Sequence, residues 1–246
     1  MDRSKLYASL RTSLFKGGVS QTQVNGIEGI LDAFATHGDG KPDTLAYALA
    51  TAYHETGTRM VPVREGFAST DAGARAAVNK LAVKRGPKSA VAKYAKPAGP
   101  YNHVYYGRGQ VQLTWLENYE KSSKDAGVDL VKDPDKMLDP VVSARVLIKG
   151  LLDGRWNGAG KGLRYYLDKG DVVQARRTVN VVDKAETIAG YHRTFLAAVN
   201  AAGGVPTNTP TPQPKPESPP SATPTPKAGW GEVLVALFVA IFGGKK

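Results

Sequence analysis

Apolar residues recur at helical spacing along most of this chain. Val24, Ile27, Ile30, Leu31 and Phe34 share one face, as do Val142, Val146, Leu147 and Leu151, and later Ile188, Tyr191, Phe195 and Val199. A further helix is expected after Pro42, with Asp43 or Thr44 as its cap and Leu45, Leu49 and Ala52 as its single apolar stripe. Glu55 extends that stripe by three residues, Gly57 offers an exit, and Pro62 argues for irregular backbone before Glu65. Thr70 to about Val83 suits another helix, and Asn118 and Tyr119 open one more. Between them Val111 and Leu113 alternate with Gln112 and Thr114, the pattern of a short strand with one buried face, so Gln112 and Thr114 are expected to point together toward a cleft. The body is therefore read as mainly α with a small β element.

The pattern breaks after Gly204. Residues 205–227 are rich in Pro, Thr and Ser and cannot bury enough apolar surface to fold, so they are expected to form an extended linker. Residues 228–246 form an apolar tail whose uninterrupted run, Val233 to Phe242, is shorter than the roughly 20 residues of a comfortable membrane span. Trp230 and the terminal lysines suit two membrane boundaries, so a short span or an interfacial helix is expected, with docking onto the body or a partner as the alternative. Residues 1–204 are left as the folded domain.

Composition narrows the setting. There is no cysteine, which removes disulfides, thiolate nucleophiles and Cys-ligated zinc, and makes a bacterial-type cytoplasm the simplest place of synthesis. The segment Met1 to Leu6 has no long apolar core, so no conventional secretory signal is expected there. The net charge of +11 points to an anionic partner. Lys215, Lys227, Lys245 and Lys246 against Glu217 and Glu232 leave +2 for residues 205–246, so +9 belongs to the body. Part of it lies in Lys84, Arg85, Lys88, Lys93 and Lys96, read as an exposed stretch.

The strongest chemical signal is a pair of carboxylates about ten residues apart, Glu55 and Glu65. Two such groups can flank a glycosidic bond, one as a protonated acid and the other as an ionised base or nucleophile. Glu55, at the end of a buried stripe, is expected to be desolvated and to serve as the acid, whereas Glu65, on a loop, is expected to be solvated and to stay ionised. Other chemistries fit poorly. Thr58 stands where a helical zinc-protease pattern starting at His54 needs its second histidine, and only four histidines exist in all, so no metal or other cofactor is expected. Gly107-Arg108-Gly109 lacks the third glycine of a dinucleotide fingerprint, and no Gly-x-Ser-x-Gly elbow occurs.

Several segments occur in an order that resembles glycoside hydrolase family 19, in the branch of bacterial and phage lysozyme-like chitinases and endolysins. They are His54-Glu55-Thr56-Gly57, Pro62-Val63-Arg64-Glu65-Gly66-Phe67, and Tyr106 through Trp115 with Asn118-Tyr119. Asp139-Pro140 and Arg177-Thr178-Val179-Asn180, followed by Ile188-Ala189-Gly190-Tyr191, match more weakly. The resemblance, over residues 20–200, implies a lysozyme-like fold of two helical lobes around a central cleft and hydrolysis by single displacement with inversion. It also implies Glu55 as general acid, Glu65 as general base, and Thr114 as the hydroxyl that helps hold the attacking water. Gln112, Tyr119 and Asn180 match positions lining the sugar cleft, with a structural amide, a core aromatic and a helix cap as their alternatives. Tyr106 and Arg108 are further candidate contacts, although an arginine between two glycines equally suits a loop brace.

The expected activity is cleavage of β-1,4 amino-sugar links in bacterial peptidoglycan, with cell-wall lysis by an endolysin-type monomer that reaches the envelope from the host cytoplasm and binds no nucleic acid. The plant enzymes of the family carry disulfides absent here, which moves the expectation away from plant-defence chitin. Chitin or its oligosaccharides remain the alternative substrate. A non-catalytic wall-binding or membrane-disrupting protein is the alternative of another class.

Overall fold

The computed structural model describes residues 1–206, so the tail and nearly all of the expected linker lie outside the described residues. The helices are α1 (Arg3–Ser13), α2 (Gln21–His37), α3 (Pro42–Glu55), α4 (Asp71–Arg85), α5 (Ala90–Tyr94), α6 (Leu116–Ala126), α7 (Pro140–Asp153), α8 (Leu163–Leu167) and α9 (Ala185–Ala201). Two-residue strands β1 (Val63–Arg64) and β2 (Arg108–Gly109) pair antiparallel, Val63 opposite Gly109 and Arg64 opposite Arg108. Among the described residues no helix is long and apolar enough to cross a membrane.

The helix starts follow local chemistry. Ser20 and Gln23 form a reciprocal capping box on α2, Thr70 caps α4 through the Gly73 N–H, and Asp139 accepts from the N–H groups of Val141 and Val142 beside Pro140 on α7. The cap expected for α3 is different. Lys41 holds the cap position with no side-chain bond, because Pro42 at the first helical position has no N–H to satisfy. Asp43, in the first turn, is paired with Arg164 at 2.7 Å instead.

α3 also departs from the expected one-sided stripe: every residue from Thr44 to Glu55 is buried. Small residues make this possible, since Ala46, Ala48, Ala50 and Ala52 let neighbouring helices close around it. The main core gathers Leu6 and Leu10 of α1, Ile27, Ile30 and Leu31 of α2, Leu45 and Leu49 of α3, Val146 and Leu147 of α7, and Phe195 and Val199 of α9. A helix buried on all sides is the axis of its lobe.

A second, smaller core defines the other lobe. Ala74, Val78 and Leu81 of α4 pack with Val91 and Tyr94 of α5 and with Val104 and Tyr106. The basic stretch is thus partly folded. Its lysines face solvent while Val91 and Tyr94 anchor it from within.

Candidate active site

Glu55 is the last residue of α3. The chain turns away through Thr56 and Gly57, the latter at φ 55°, a left-handed conformation that glycine adopts without steric cost. Glu65 opens a short 3-10 turn directly after β1. Its own N–H donates to the Gly107 carbonyl at 2.7 Å, and the Gly107 N–H donates back to Glu65 Oε2 at 2.8 Å. The Tyr94 hydroxyl donates to Glu65 Oε1, also at 2.8 Å. Both carboxyl oxygens are therefore held by donors.

Residues 111–114 do not form the strand expected from their alternation. They make a tight turn in which Leu113 and Arg108 exchange backbone hydrogen bonds of 2.8 and 3.1 Å, with Gln112 at φ 51°. Gln112 Nε2 donates to the carbonyls of Val63 and Gly109, and Thr114 Oγ1 donates to the Gln112 carbonyl at 2.9 Å. Gly107 lies beneath these side chains. A Cβ there would stand 2.8 Å from Gln112 Oε1, 3.3 Å from Glu65 Oε2 and 3.4 Å from Thr114 Oγ1. The bare glycine thus lets Glu65, Gln112 and Thr114 converge.

A cleft opens above Gln112 and Thr114. Glu55, Trp156, Val179 and Asn180 line it from the large lobe, Tyr94 and Trp115 from the small-lobe side, and Val111 to Thr114 between the two. The Trp156 ring packs against Gly150 of α7, where no Cβ would fit, and its indole N–H donates to Ser122 Oγ. Asn180 faces the cleft with its Oδ1 accepting from the Val181 N–H, so it caps no helix: α9 begins five residues later.

The electrostatics revise the expected asymmetry between the glutamates. Glu65 is 5% exposed rather than solvated. Burial pushes its carboxyl above the ordinary glutamate value, opposed by the Gly107 N–H, the Tyr94 hydroxyl and the charge of Arg108. Glu55 is buried as expected, at 6% exposure, but not alone. Arg176 Nη1 lies 2.7 Å from its Oε1, an ion pair in which no N–H is aligned for a hydrogen bond. Arg176 escaped the sequence reading although it immediately precedes the matched Arg177-Thr178-Val179-Asn180. The Gln174–Thr178 turn buries Arg176 and exposes Arg177. Tyr94, Trp115 and Trp156 were likewise not singled out as parts of a site.

Three residues expected to touch sugar sit behind the cleft wall. Arg108 is 2% exposed. Its Nε meets Asp135 at 2.7 Å and its Nη2 meets Asp71 at 3.2 Å, while its guanidinium lies 3.6 Å from the centre of the Tyr106 ring. Tyr106 and Tyr119 are fully buried; the Tyr106 hydroxyl donates to Asp71 and the Tyr119 hydroxyl to the Tyr106 carbonyl. A planar cation satisfied on every edge is a brace. It ties the hairpin to α4 through Asp71, to α6 through Tyr119 and to the Pro134–Leu138 turn through Asp135. Among the described residues no group of three or more His, Cys, Asp or Glu side chains is placed to bind a metal ion.

Two helical lobes joined by a two-stranded stitch, with a cleft lined by a glutamate at a helix end and by hairpin side chains that pack beside a second glutamate, define a lysozyme-like glycosidase class of fold. The family model of glycoside hydrolase family 19, chitinase class I, matches residues 23–152. The chain belongs to that family. The match includes both glutamates and the hairpin, whereas Arg176 and Asn180 lie beyond it.

Among curated relatives, the acidic endochitinase pcht28 of Solanum chilense is 49% identical over 47 residues, which are 18% of this chain and 19% of that protein. The acidic endochitinase of Dioscorea japonica is 29% identical over 104 residues, 42% of this chain and 38% of its own length. The chain thus spans well under half of these relatives. Chitinase C of Streptomyces griseus HUT6037 shares the fold, with a TM-score of 0.50 at 20% identity over 83% of this chain and 78% of that one.

The brace carries a prediction. Asp135→Ala leaves the Arg108 guanidinium buried with one carboxylate partner, and urea unfolding should show a loss of about 3 kcal/mol. Because Arg108 is shielded from the cleft, KM of the folded variant for a soluble chitooligosaccharide should be unchanged. A raised KM at unaltered stability would restore Arg108 as a sugar contact.

Proposed function

We propose that the protein hydrolyses β-1,4 linkages between amino sugars of bacterial peptidoglycan by single displacement, with Glu55 as general acid and Glu65 as general base. The observation that carries this reading is the meeting of Glu65 over Gly107 with Gln112 and Thr114, two side chains that line the cleft Glu55 enters from the other lobe. An inverting glycosidase needs such opposed carboxyls with room for a water between base and sugar.

The local hydrogen bonds support each role. Thr114 spends its hydroxyl proton on the Gln112 carbonyl, which leaves its oxygen free to accept a hydrogen from the attacking water. Glu65 accepts the other hydrogen as the water attacks the anomeric carbon. A base whose carboxyl is raised by burial holds that proton more firmly than an ordinary glutamate. On the opposite side Glu55 protonates the leaving oxygen, and Arg176 stands ready to stabilise the carboxylate that remains. Gln112 and Asn180 supply amide contacts to the sugar, and Trp156 and Trp115 supply apolar walls.

Charge favours peptidoglycan over chitin. Most of the +11 net charge resides in the folded body, and stem-peptide carboxylates would be attracted to it, whereas neutral chitin would not. Chitin is the second reading, favoured by the family description and by the endochitinases among the relatives. In the proposed setting the protein is made in a bacterial cytoplasm and lyses the wall as a monomer, with residues 228–246 approaching the membrane.

Release of reducing ends from purified sacculi, compared with soluble chitooligosaccharides, tests the substrate. Sacculi should be cleaved, with muropeptides identified by mass, and cleavage should weaken as salt rises; cleavage of chitin alone would contradict the proposal. Glu55→Gln should lower turnover by at least about a hundredfold while binding to sacculi persists.

The pH profile tests the base. Glu65 must be ionised to act, so the acid limb of kcat/KM should lie above the ordinary glutamate value of 4.5. Tyr94→Phe removes a donor to the ionised form and should move that limb up by a further ~0.5–1 pH unit. A limb at or below the ordinary value would remove Glu65 from the role.

A further inference from the structure

Along one side of α3, Tyr47, Thr51 and Glu55 follow one another at four-residue intervals, the spacing that places side chains above one another on a helix. Each presents a buried polar atom without a hydrogen-bond partner: the Tyr47 hydroxyl, Thr51 Oγ1 and Glu55 Oε1. Two more such atoms come from elements packed against α3, Arg176 Nη1 and His192 Nδ1. Four of these groups are linked directly. Arg176 Nη1 is 2.7 Å from Glu55 Oε1, the His192 and Tyr47 rings are 5.7 Å apart, and the charges of Arg176 and Glu55 both reach the Tyr47 hydroxyl, which burial pushes far above its ordinary value.

Buried polar atoms are nearly always paired, and several orphans gathered in one place mark a site for ordered water. Thr51 is the most telling of them. A buried threonine inside a helix ordinarily turns its hydroxyl onto the carbonyl four residues earlier, as Thr56 does onto Ala52 at 2.7 Å. Thr51 makes no such bond, so its hydroxyl is free for another partner. The set also has the right chemistry: the guanidinium only donates, the Glu55 carboxyl oxygen can accept, and the two hydroxyls do either. One water with two to four hydrogen bonds can satisfy that combination.

We infer that Tyr47, Thr51 and Arg176 hold an ordered water against Glu55 Oε1, and that this water fixes the carboxyl in its working orientation. The inference rests on the acid role proposed for Glu55. Tyr47 and Thr51 are positioning residues: both are fully buried and act on the sugar only through Glu55. His192 closes the far end, its Nε2 lying 3.2 Å from the Asp43 carbonyl.

High-resolution crystal structures of the wild type and of Tyr47→Phe, combined with kinetics on a soluble chitooligosaccharide, test this. The wild type should show a water within hydrogen-bond reach of both Glu55 Oε1 and the Tyr47 hydroxyl. Tyr47→Phe should lose it, and kcat should fall about tenfold with KM unchanged. Thr51→Val should act in the same direction and Thr51→Ser should recover wild-type turnover. A wild-type structure without that water, or a Tyr47→Phe enzyme with undiminished kcat, would overturn the inference. Should the wild type cleave no amino-sugar polymer, the enzymatic reading fails, while the density beside Glu55 still decides the water site.

Discussion

The burial of α3 on all sides is the constraint from which the site follows. A helix that passes through the middle of a lobe delivers its last residue at a fixed point and in a fixed direction, and here that residue is Glu55. The same burial makes polar groups on the helix costly unless they are paired. Glu55 meets Arg176 from the turn before α9, and Asp43 and Thr44 at the other end meet Arg164. The packing that stabilises the large lobe and the charge arrangement around its glutamate are thus one feature.

The opposing wall is built by another route, without a long element. Two residues of strand, a tight hairpin and a 3-10 turn carry Glu65, Gln112 and Thr114, and such short pieces have little stability of their own. Their rigidity comes from the buried Arg108 cation, which joins the hairpin to two carboxylates and two tyrosine rings. Glycine at position 107 then lets these three side chains approach one another. A cleft between a rigid helix end and a braced hairpin positions two carboxyls without either depending on a mobile loop.

Much of the helical framework was legible because α2, α7 and α9 each expose one face and bury another, which is what periodicity detects. The burial of α3 on all sides leaves no such signal, because its alanines are small enough to be buried anywhere and only Leu45, Leu49 and Ala52 trace a stripe. Burial of Glu65 could not be read locally, since its cover comes from Tyr94, 29 residues away, and from the backbone of Gly107. The alternation of Val111 and Leu113 matched a strand, yet Gln112 adopts a positive φ that only the surrounding hairpin explains. Arg108, Tyr106 and Tyr119 fell within the motif that resembles the family, and a motif match does not separate groups that touch sugar from groups that hold the wall. The order of the two glutamates and the turn at Gly107 were legible; the arginine beside Glu55 was not, because its neighbour Arg177 carried the match.

The central claim is that Glu55 and Glu65 act from opposite sides of one sugar with a water between them. Proton NMR of the first product formed from a soluble β-1,4-linked N-acetylglucosamine oligomer tests it most directly, before mutarotation mixes the anomers. The account predicts that the new reducing end appears first as the α anomer; initial appearance of the β anomer would mean a double displacement and would contradict it.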